Sequence, residues 1–231
     1  MKARQFRYYD LLVHIFVVVL LISNLVGQKI TAIGPFRISG AQLLFPIAYI
    51  FGDVFTEVYG YGASRRAIWI GFGASALLAA MGMFTVWLPP APGWHGQEAF
   101  QTVFDFVPRL VGASLIAFWS GEFANSFVMA KMKLWTGGKY LWTRTVGSTI
   151  VGQAVDTAVL MTLAFGGSLT PSLIINLIVS GYLGKVLYEV LATPLTYAVV
   201  NFLKRHEGVD TFDRGTSFNP FRHALEEPGI E

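Results

Sequence analysis

Acidic side chains and a single lysine interrupt the long apolar stretches of this 231-residue sequence. A carboxylate at the centre of a bilayer costs at least about 2.5 kcal/mol on insertion scales, so such residues are rare there and mark binding sites or ion pathways. We therefore predict that the chain encloses a polar cavity with a net negative charge. The residues concerned are Asp53, Glu57, Glu122, Asp156, Glu189 and Lys185.

Helical spacing places these residues on shared faces with other polar groups. Side chains three or four positions apart lie next to each other on the surface of an α-helix. The pairs that follow are Asp53 with Glu57, Glu122 with Asn125, Asp156 with Gln153, and Glu189 with Lys185. The last pair could equally be a structural ion pair within one helix, and that interpretation stays open.

Arginines near the ends of the apolar stretches leave a second structural interpretation open. Glu57 could hold a short loop by pairing with Arg65 or Arg66, whereas Arg144 could reach inward from an interface to pair with a carboxylate. Two aspartates have no cation nearby in the sequence, and we predict functional roles for both, Asp53 and Asp156. Gating or proton coupling is the role predicted for Asp53, Glu57, Glu189 and Arg144.

The elements that must hold these residues are membrane-spanning helices. Hydrophobic residues make up 54% of the chain and charged residues only 13%, whereas a soluble domain carries about a quarter of its residues as charges. Runs of roughly 20 apolar residues are needed for a span. They predict an all-α bundle of six transmembrane helices within residues 1–205, followed by a polar cytoplasmic tail, 206–231, that is disordered in part. The predicted spans are 9–28, 38–59, 66–88, 109–130, 146–165 and 172–201.

Basic residues orient the bundle, because cytoplasmic loops carry an excess of Lys and Arg. With the N-terminus inside, all basic residues fall in cytoplasmic segments except Lys29, Arg37, Arg109 and the in-span Lys185. Both termini are therefore predicted to be cytoplasmic, in a multi-pass protein of the cell inner membrane. The pI of about 9.2 reflects this orientation, so no direct nucleic-acid partner is expected. Cysteine is absent, and we expect no metal site and no cofactor.

Prolines and small residues add local signals within the spans. Pro46, ahead of Asp53 in the second span, and Pro194 in the sixth are expected to bend their helices. Gly71, Ser75 and Ala79 follow one another at four-residue spacing, which favours a close helix–helix contact. That contact could lie within the bundle or between two copies in a homodimer.

One long motif resembles a known family. The segment 45–62, FPIAYIFGDVFTEVYGYG, followed by Ser64-Arg65-Arg66, is similar to the queuosine precursor transporters, also called the vitamin uptake transporter family. The resemblance covers nearly all of the chain except its ends. Further matching segments are Ser23-Asn24-Leu25, EFAN at 122–125, Arg144 with Ser148, GQAVDT at 152–157, and Lys185 with TPLTY at 193–197.

The resemblance implies a six-helix inner-membrane importer of 7-cyano- and/or 7-aminomethyl-7-deazaguanine, the precursors of the tRNA base queuosine. It also implies a fold like that of the substrate-binding subunits of energy-coupling-factor importers. Family members typically act without the ATPase module of those systems. The expected partners are the lipid bilayer and a small nucleobase-like substrate.

The polar residues suit such a substrate. A guanine-like edge presents an N–H and an amino group side by side, which one carboxylate accepts in bidentate fashion; Asp156 or Glu122 could do this. Gln153 or Asn125 could donate to the ring carbonyl, and an aromatic ring such as Tyr49 could stack on the base. The substrate-binding residues predicted in this way are Asp156, Gln153, Glu122, Asn125, Asn24 and Lys185.

Two alternatives remain. The chain could be a substrate-capture subunit, for a vitamin or another small polar molecule, that depends on a separate ATPase. It could also be an intramembrane enzyme, since Asp53 and Asp156 invite comparison with intramembrane aspartyl proteases. The sequences IFGD at 50–53 and AVD at 154–156 lack the motifs of those proteases, and no His-Glu-x-x-His or Gly-x-Ser-x-Gly motif occurs. We therefore predict a transporter rather than an enzyme.

Overall fold

The structure, a computed structural model, describes residues 6–26, 29–33, 36–39, 44–104, 108–167 and 170–221. Helices dominate this part of the chain, and one short hairpin accompanies them. The elements in chain order are α1 (Tyr9–Val26), β1 (Ile30–Ile33), β2 (Phe36–Ser39), α2 (Phe45–Val54), a π-helical turn (Phe55–Tyr59), α3 (Tyr61–Trp87), α4 (Gln97–Phe104), α5 (Pro108–Trp135), α6 (Leu141–Phe165) and α7 (Pro171–Glu207).

Four helical segments of the described chain are long and apolar enough to cross a membrane. They are Tyr9–Val26, Tyr61–Trp87, Leu141–Phe165 and Lys185–Glu207. Their outer surfaces carry large apolar side chains, including Leu77, Leu187 and Leu191, as expected for helices that face lipid. The prediction of a helical membrane protein is confirmed, whereas the number of six spans stays a prediction.

The start of the second predicted span is wrong. Residues 38 and 39 belong to β2, which pairs antiparallel with β1 so that Ile30 lies opposite Ser39, and the helix begins only at Phe45. The strand sequences ITAI and FRIS are rich in β-branched and aromatic residues, which favour strands. Gly34-Pro35 between them in the sequence is a turn signal. The sequence analysis placed 29–37 in a loop between two spans and did not use this signal.

The two predicted proline bends have different outcomes. Pro46 lies in the first turn of α2, where a missing backbone N–H leaves no helical hydrogen bond unmade, so the predicted bend ahead of Asp53 is wrong. Pro194 lies inside α7, and the bend expected there stays a prediction. The irregular backbone near Asp53 comes instead from the π-helical turn and from Gly60, whose φ of 86° lies in the left-handed region that favours glycine.

Close approaches of helix backbones fix the site-bearing elements. A Cβ at Gly121 of α5 would lie 2.7 Å from the Cβ of Asp156, and one at Gly152 of α6 would lie 2.8 Å from the Cβ of Asn125. Glycine at both positions therefore allows α5 and α6 to pack directly against each other. The contact brings the polar face of α5 beside the polar face of α6.

The small-residue face of α3 packs against α1. A Cβ at Gly71 would lie 2.8 Å from Leu20 and 3.0 Å from Phe16, and Asn24 donates to the Ser75 hydroxyl at 3.4 Å. Of the two interpretations left open by the sequence, these contacts favour a helix–helix contact within the bundle.

Residues 208–221 of the predicted tail, which we call the strap, lie against the beginning of α3. The Tyr61 amide donates to the Asp213 carboxylate at 3.0 Å, Arg65 donates to the Asn219 carbonyl at 2.9 Å, and the Trp69 indole donates to the Pro220 carbonyl at 2.8 Å. Arg65 is therefore bound to the strap. The rest of the predicted tail, 222–231, lies outside the described residues.

Candidate functional site

Three carboxylates from three helices lie buried in the bundle interior, and we call them the acidic triad: Asp53 of α2, Glu122 of α5 and Glu189 of α7. Their exposed fractions are 1%, 6% and 1%. Asn125 donates to Asp53 Oδ1 at 3.0 Å. Among the described residues, no hydrogen-bond partner is present for Asp53 Oδ2, Glu122 Oε2 or either carboxylate oxygen of Glu189. The described protein groups thus leave several carboxylate oxygens of the triad without hydrogen bonds, and in this sense the triad is an incomplete polar site.

A glycine makes room for the triad. A Cβ at Gly52 would lie 2.7 Å from Glu122 Oε2 and 3.8 Å from Asn125 Nδ2. The absence of a side chain at position 52 therefore lets the α5 carboxylate lie against the backbone of α2, directly beside Asp53. On α6, the buried Gln153 side chain hydrogen-bonds to Tyr49 of α2, while its carbonyl oxygen Oε1 has no described partner.

Asp156 and Lys185 form an ion pair between α6 and α7. Their Nζ and Oδ2 atoms are 2.5 Å apart, and Lys185 also approaches the Thr157 hydroxyl at 3.5 Å. The structural interpretation of Lys185 as a partner of Glu189 is therefore wrong, because the lysine is engaged with the other helix. The two side chains are 27% and 17% exposed, which makes this pair more open than the acidic triad.

Glu57 lies in a separate cluster, which we call the Glu57 network. Arg144 donates to both oxygens of Glu57, from Nε at 2.6 Å and from the second guanidinium nitrogen at 2.7 Å. Lys204 lies 2.5 Å from Oε1 and Lys133 lies 3.4 Å from it. The prediction that Arg144 reaches inward to a carboxylate agrees with this geometry, whereas the alternative pairing of Glu57 with Arg65 or Arg66 is wrong.

Asp210 of the strap completes the Glu57 network. Its carboxylate lies 2.5 Å from Lys133 and 2.8 Å from Lys204. Partial burial acts to raise the pKa of Asp210, but the hydrogen bonds from these lysines and their charges hold that pKa below its ordinary value. The group is therefore charged at neutral pH. The sequence analysis used both lysines only for orientation and did not identify Asp210 at all, because Lys133 is far from the other two in the chain and Asp210 lies in the predicted polar tail.

The structure brings together most of the predicted substrate residues. Gly121 and Gly152 bring Glu122 and Asn125 beside Gln153 and Asp156, and Lys185 joins them from α7. Asn24 differs, because it is exposed on α1 and donates to Ser75 of α3. It lies in the α1–α3 contact, outside this group.

Comparisons with known proteins agree with the resemblance. Residues 39–199 match the family described as "Putative vitamin uptake transporter". A relative from Bacillus subtilis (strain 168), named "Probable queuosine precursor transporter", is 28% identical over 167 residues, which make up 72% of this chain and 73% of the relative. No solved structure matches the chain. The family match includes the acidic triad and the Asp156–Lys185 pair, and it ends before Lys204 and the strap.

Proposed function

Because this chain belongs to the vitamin uptake transporter family, we propose that it imports queuosine precursors, 7-cyano- and/or 7-aminomethyl-7-deazaguanine, across the cell inner membrane. The name of the Bacillus subtilis relative supports this substrate class. Transport without chemical conversion of the substrate is proposed, and the bundle interior provides the binding site.

The observation that carries the proposal is the Asp156–Lys185 pair beside an incomplete polar site. Asp156 is partly open, and the neighbouring Gln153 Oε1 and Glu122 Oε2 lack partners among the described residues. A guanine-like base presents adjacent donors that Asp156 accepts and a carbonyl that Asn125 or Gln153 can satisfy. Binding such a base would supply hydrogen bonds to buried groups whose desolvation is otherwise costly.

Six spans with both termini in the cytoplasm form part of the proposal. Besides the four apolar helices, α5 extends over 28 residues, about 42 Å at 1.5 Å per residue, which exceeds the hydrocarbon thickness. The remaining span, second in chain order, is α2 with its π-helical turn. It is shorter than the others and carries Asp53. The positions of the basic residues support this orientation.

The test is uptake and binding of labelled 7-deazaguanine precursors. Uptake is measured in cells that lack their own precursor synthesis, their own transporter and all energy-coupling-factor ATPases. Wild-type protein should restore uptake there without any ATPase module. Uptake that appears only when such a module is supplied would favour a substrate-capture subunit.

Asp156→Asn should weaken binding of the base to purified protein. The change replaces one acceptor with a donor that faces the donors of the ligand, and it removes a charge-assisted hydrogen bond. We expect a loss on the order of 2–4 kcal/mol, or roughly 30-fold to 1000-fold in affinity.

The variant also leaves Lys185 without its carboxylate, so the double variant Asp156→Asn/Lys185→Gln serves as a control. It removes the unpaired charge and should still bind weakly. An unchanged dissociation constant in a folded Asp156→Asn protein would show that Asp156 does not bind the base. Glu122 would then be the proposed acceptor.

A further inference from the structure

The charges of the bundle interior do not balance. Asp156 is matched by Lys185 at 2.5 Å, and Glu57 is matched by Arg144 and two lysines. Arg65, another buried cation, is bound to carbonyl groups of the strap. The acidic triad is left with no cation in contact.

We propose that Glu189 and Asp53 form a proton-binding site that couples entry of the substrate to entry of a proton. This proposal rests on the proposed function and adds its energy source. In the outward-facing protein a proton from outside forms an O–H bond on the Glu189 carboxylate. In the inward-facing protein that bond breaks and the proton passes to the cytoplasm.

Two carboxylates in one apolar interior favour a bound proton. Both side chains are 99% buried, and α2, which carries Asp53, packs against α7, which carries Glu189. Like charges that share a buried site cannot both ionise at low cost, so one of the two groups keeps a proton.

Hydrogen bonding decides which of the two groups holds it. Asn125 donates to Asp53 Oδ1, and a donor of this kind favours the ionised carboxylate. Glu189 receives no hydrogen bond on either oxygen from the described residues, so nothing there stabilises its charge. The transferred proton is therefore assigned to Glu189.

Other titratable groups around this pair add no positive charge to it. Tyr49 of α2 is hydrogen-bonded to Gln153, and the exposed groups Asp10 and His14 lie at the beginning of α1. The elements packed against α2 and α7 also carry Glu122, the Asp156–Lys185 pair and the Glu57 network with Arg144, Lys133 and Lys204. Lys131 lies near the end of α5, and Arg205, His206 and Glu207 lie in the last turn of α7.

Geometry favours a proton over a metal ion. Within the described chain, no group of three His, Cys, Asp or Glu side chains is arranged to hold a metal. A proton needs only one oxygen, and the unpartnered oxygens of Glu189 provide it. Gln153 Oε1, which is also buried and without a described partner, extends the incomplete polar site towards Asp156. Binding of a proton to Glu189 therefore changes the charge beside the proposed substrate.

The decisive comparison is between accumulation and exchange in proteoliposomes. With the side equivalent to the cell exterior made more acidic, wild-type protein should accumulate labelled base above equilibrium, and a protonophore should abolish this. Glu189→Gln keeps the shape but cannot release a proton. It should lose at least about 90% of accumulation while retaining exchange of labelled for unlabelled base. Glu98→Gln, on an exposed position of α4, is the matched control and should behave as wild type.

Three results would overturn the proposal: full accumulation by Glu189→Gln, accumulation that follows a sodium gradient, or a wild-type protein that only equilibrates its substrate. Should Glu189→Gln unfold, Glu189→Asp retains the carboxyl group and must retain accumulation.

A measurement that needs no substrate tests the proton site separately from the proposed transport of 7-deazaguanine bases. The infrared band of a buried protonated carboxyl group should be present in wild-type protein and lose intensity in Glu189→Gln. A wild-type protein that exchanges no 7-deazaguanine base but shows this band would overturn the proposed substrate alone. An unchanged band in Glu189→Gln would overturn the proton site alone.

Discussion

At the scale of single residues, Glu57 is the carboxylate that three cations of the bundle share. Arg144 and Lys133 are each only 1% exposed, and Lys204 completes a set of three cations on one carboxylate. Buried ion pairs contribute little net stability when complete, but removal of one partner leaves an uncompensated charge that costs several kcal/mol. The network should therefore respond very differently to loss of its acid and loss of one of its bases.

We predict that Glu57→Gln destabilises the protein by roughly 3–5 kcal/mol, because buried cations lose their shared carboxylate. Lys204→Gln should cost about 1 kcal/mol or less, since Lys204 is partly exposed and two cations still neutralise Glu57. Unfolding in detergent, followed for both variants, provides the comparison. Equal losses for the two substitutions would show that the network is not organised around Glu57.

At the scale of elements, the contact between α5 and α6 positions the proposed substrate residues. A Cβ on Gly121 would lie 2.7 Å from the Cβ of Asp156 and 3.1 Å from the carbonyl oxygen of Gly152. These atoms are close to the backbone or part of it, so neither helix can adjust by a simple side-chain rotation. Separation of the helices is the expected response.

Gly121→Ala should therefore destabilise the protein by about 1–3 kcal/mol through overpacking and weaken binding of the base by shifting Asp156 away from Glu122. Gly112→Ala is the matched control on the same helix. No described atom lies within 4 Å of the Cβ it adds, so it should be neutral or stabilise the helix by up to about 1 kcal/mol. Thermal unfolding and ligand binding of the two variants would be compared. A loss of the same size in Gly112→Ala would rule out the close contact as the cause.

Much of this arrangement could be predicted from spacing along the chain, but not all of it. Periodicity correctly grouped Gln153 with Asp156 on one helix face, and hydropathy identified the apolar helices. Periodicity does not say which face meets which neighbour, so it leaves open whether Lys185 pairs with Glu189 on its own helix, whereas in the structure it pairs with Asp156 across the bundle. Hydropathy likewise began the second span at residue 38, although residues 38 and 39 belong to β2, because strands and spans are both apolar.

At the scale of the whole molecule, the strap connects the segment after α7 to the beginning of α3. Gly60 precedes α3 and has no side chain with which to cap that helix, and a Cβ there would lie 2.7 Å from Thr211 Cγ2 of the strap. Asp213 supplies the missing cap from about 150 residues away, since both of its carboxylate oxygens accept from the Tyr61 amide at 3.0 Å. A negative charge at this position is also favoured by the dipole of the helix. Asp210 links the same strap to the Glu57 network, so one segment holds α3, α5 and α7 together.

Asp213→Ala should accordingly lower stability by about 0.5–2 kcal/mol, the usual cost of losing a helix N-cap. Asp213→Asn keeps an acceptor oxygen and should lose less, because it gives up only the charge. Removal of residues 208–231 should cost more than either substitution, since it also takes away Asp210 and the carbonyl groups that bind Arg65 and Trp69. The midpoint of thermal unfolding in detergent would rank the three proteins, and uptake would be measured at a temperature where all remain folded. If the truncated protein unfolds at the same temperature as the full chain, the strap does not stabilise the bundle, and the beginning of α3 must be held by the bundle alone.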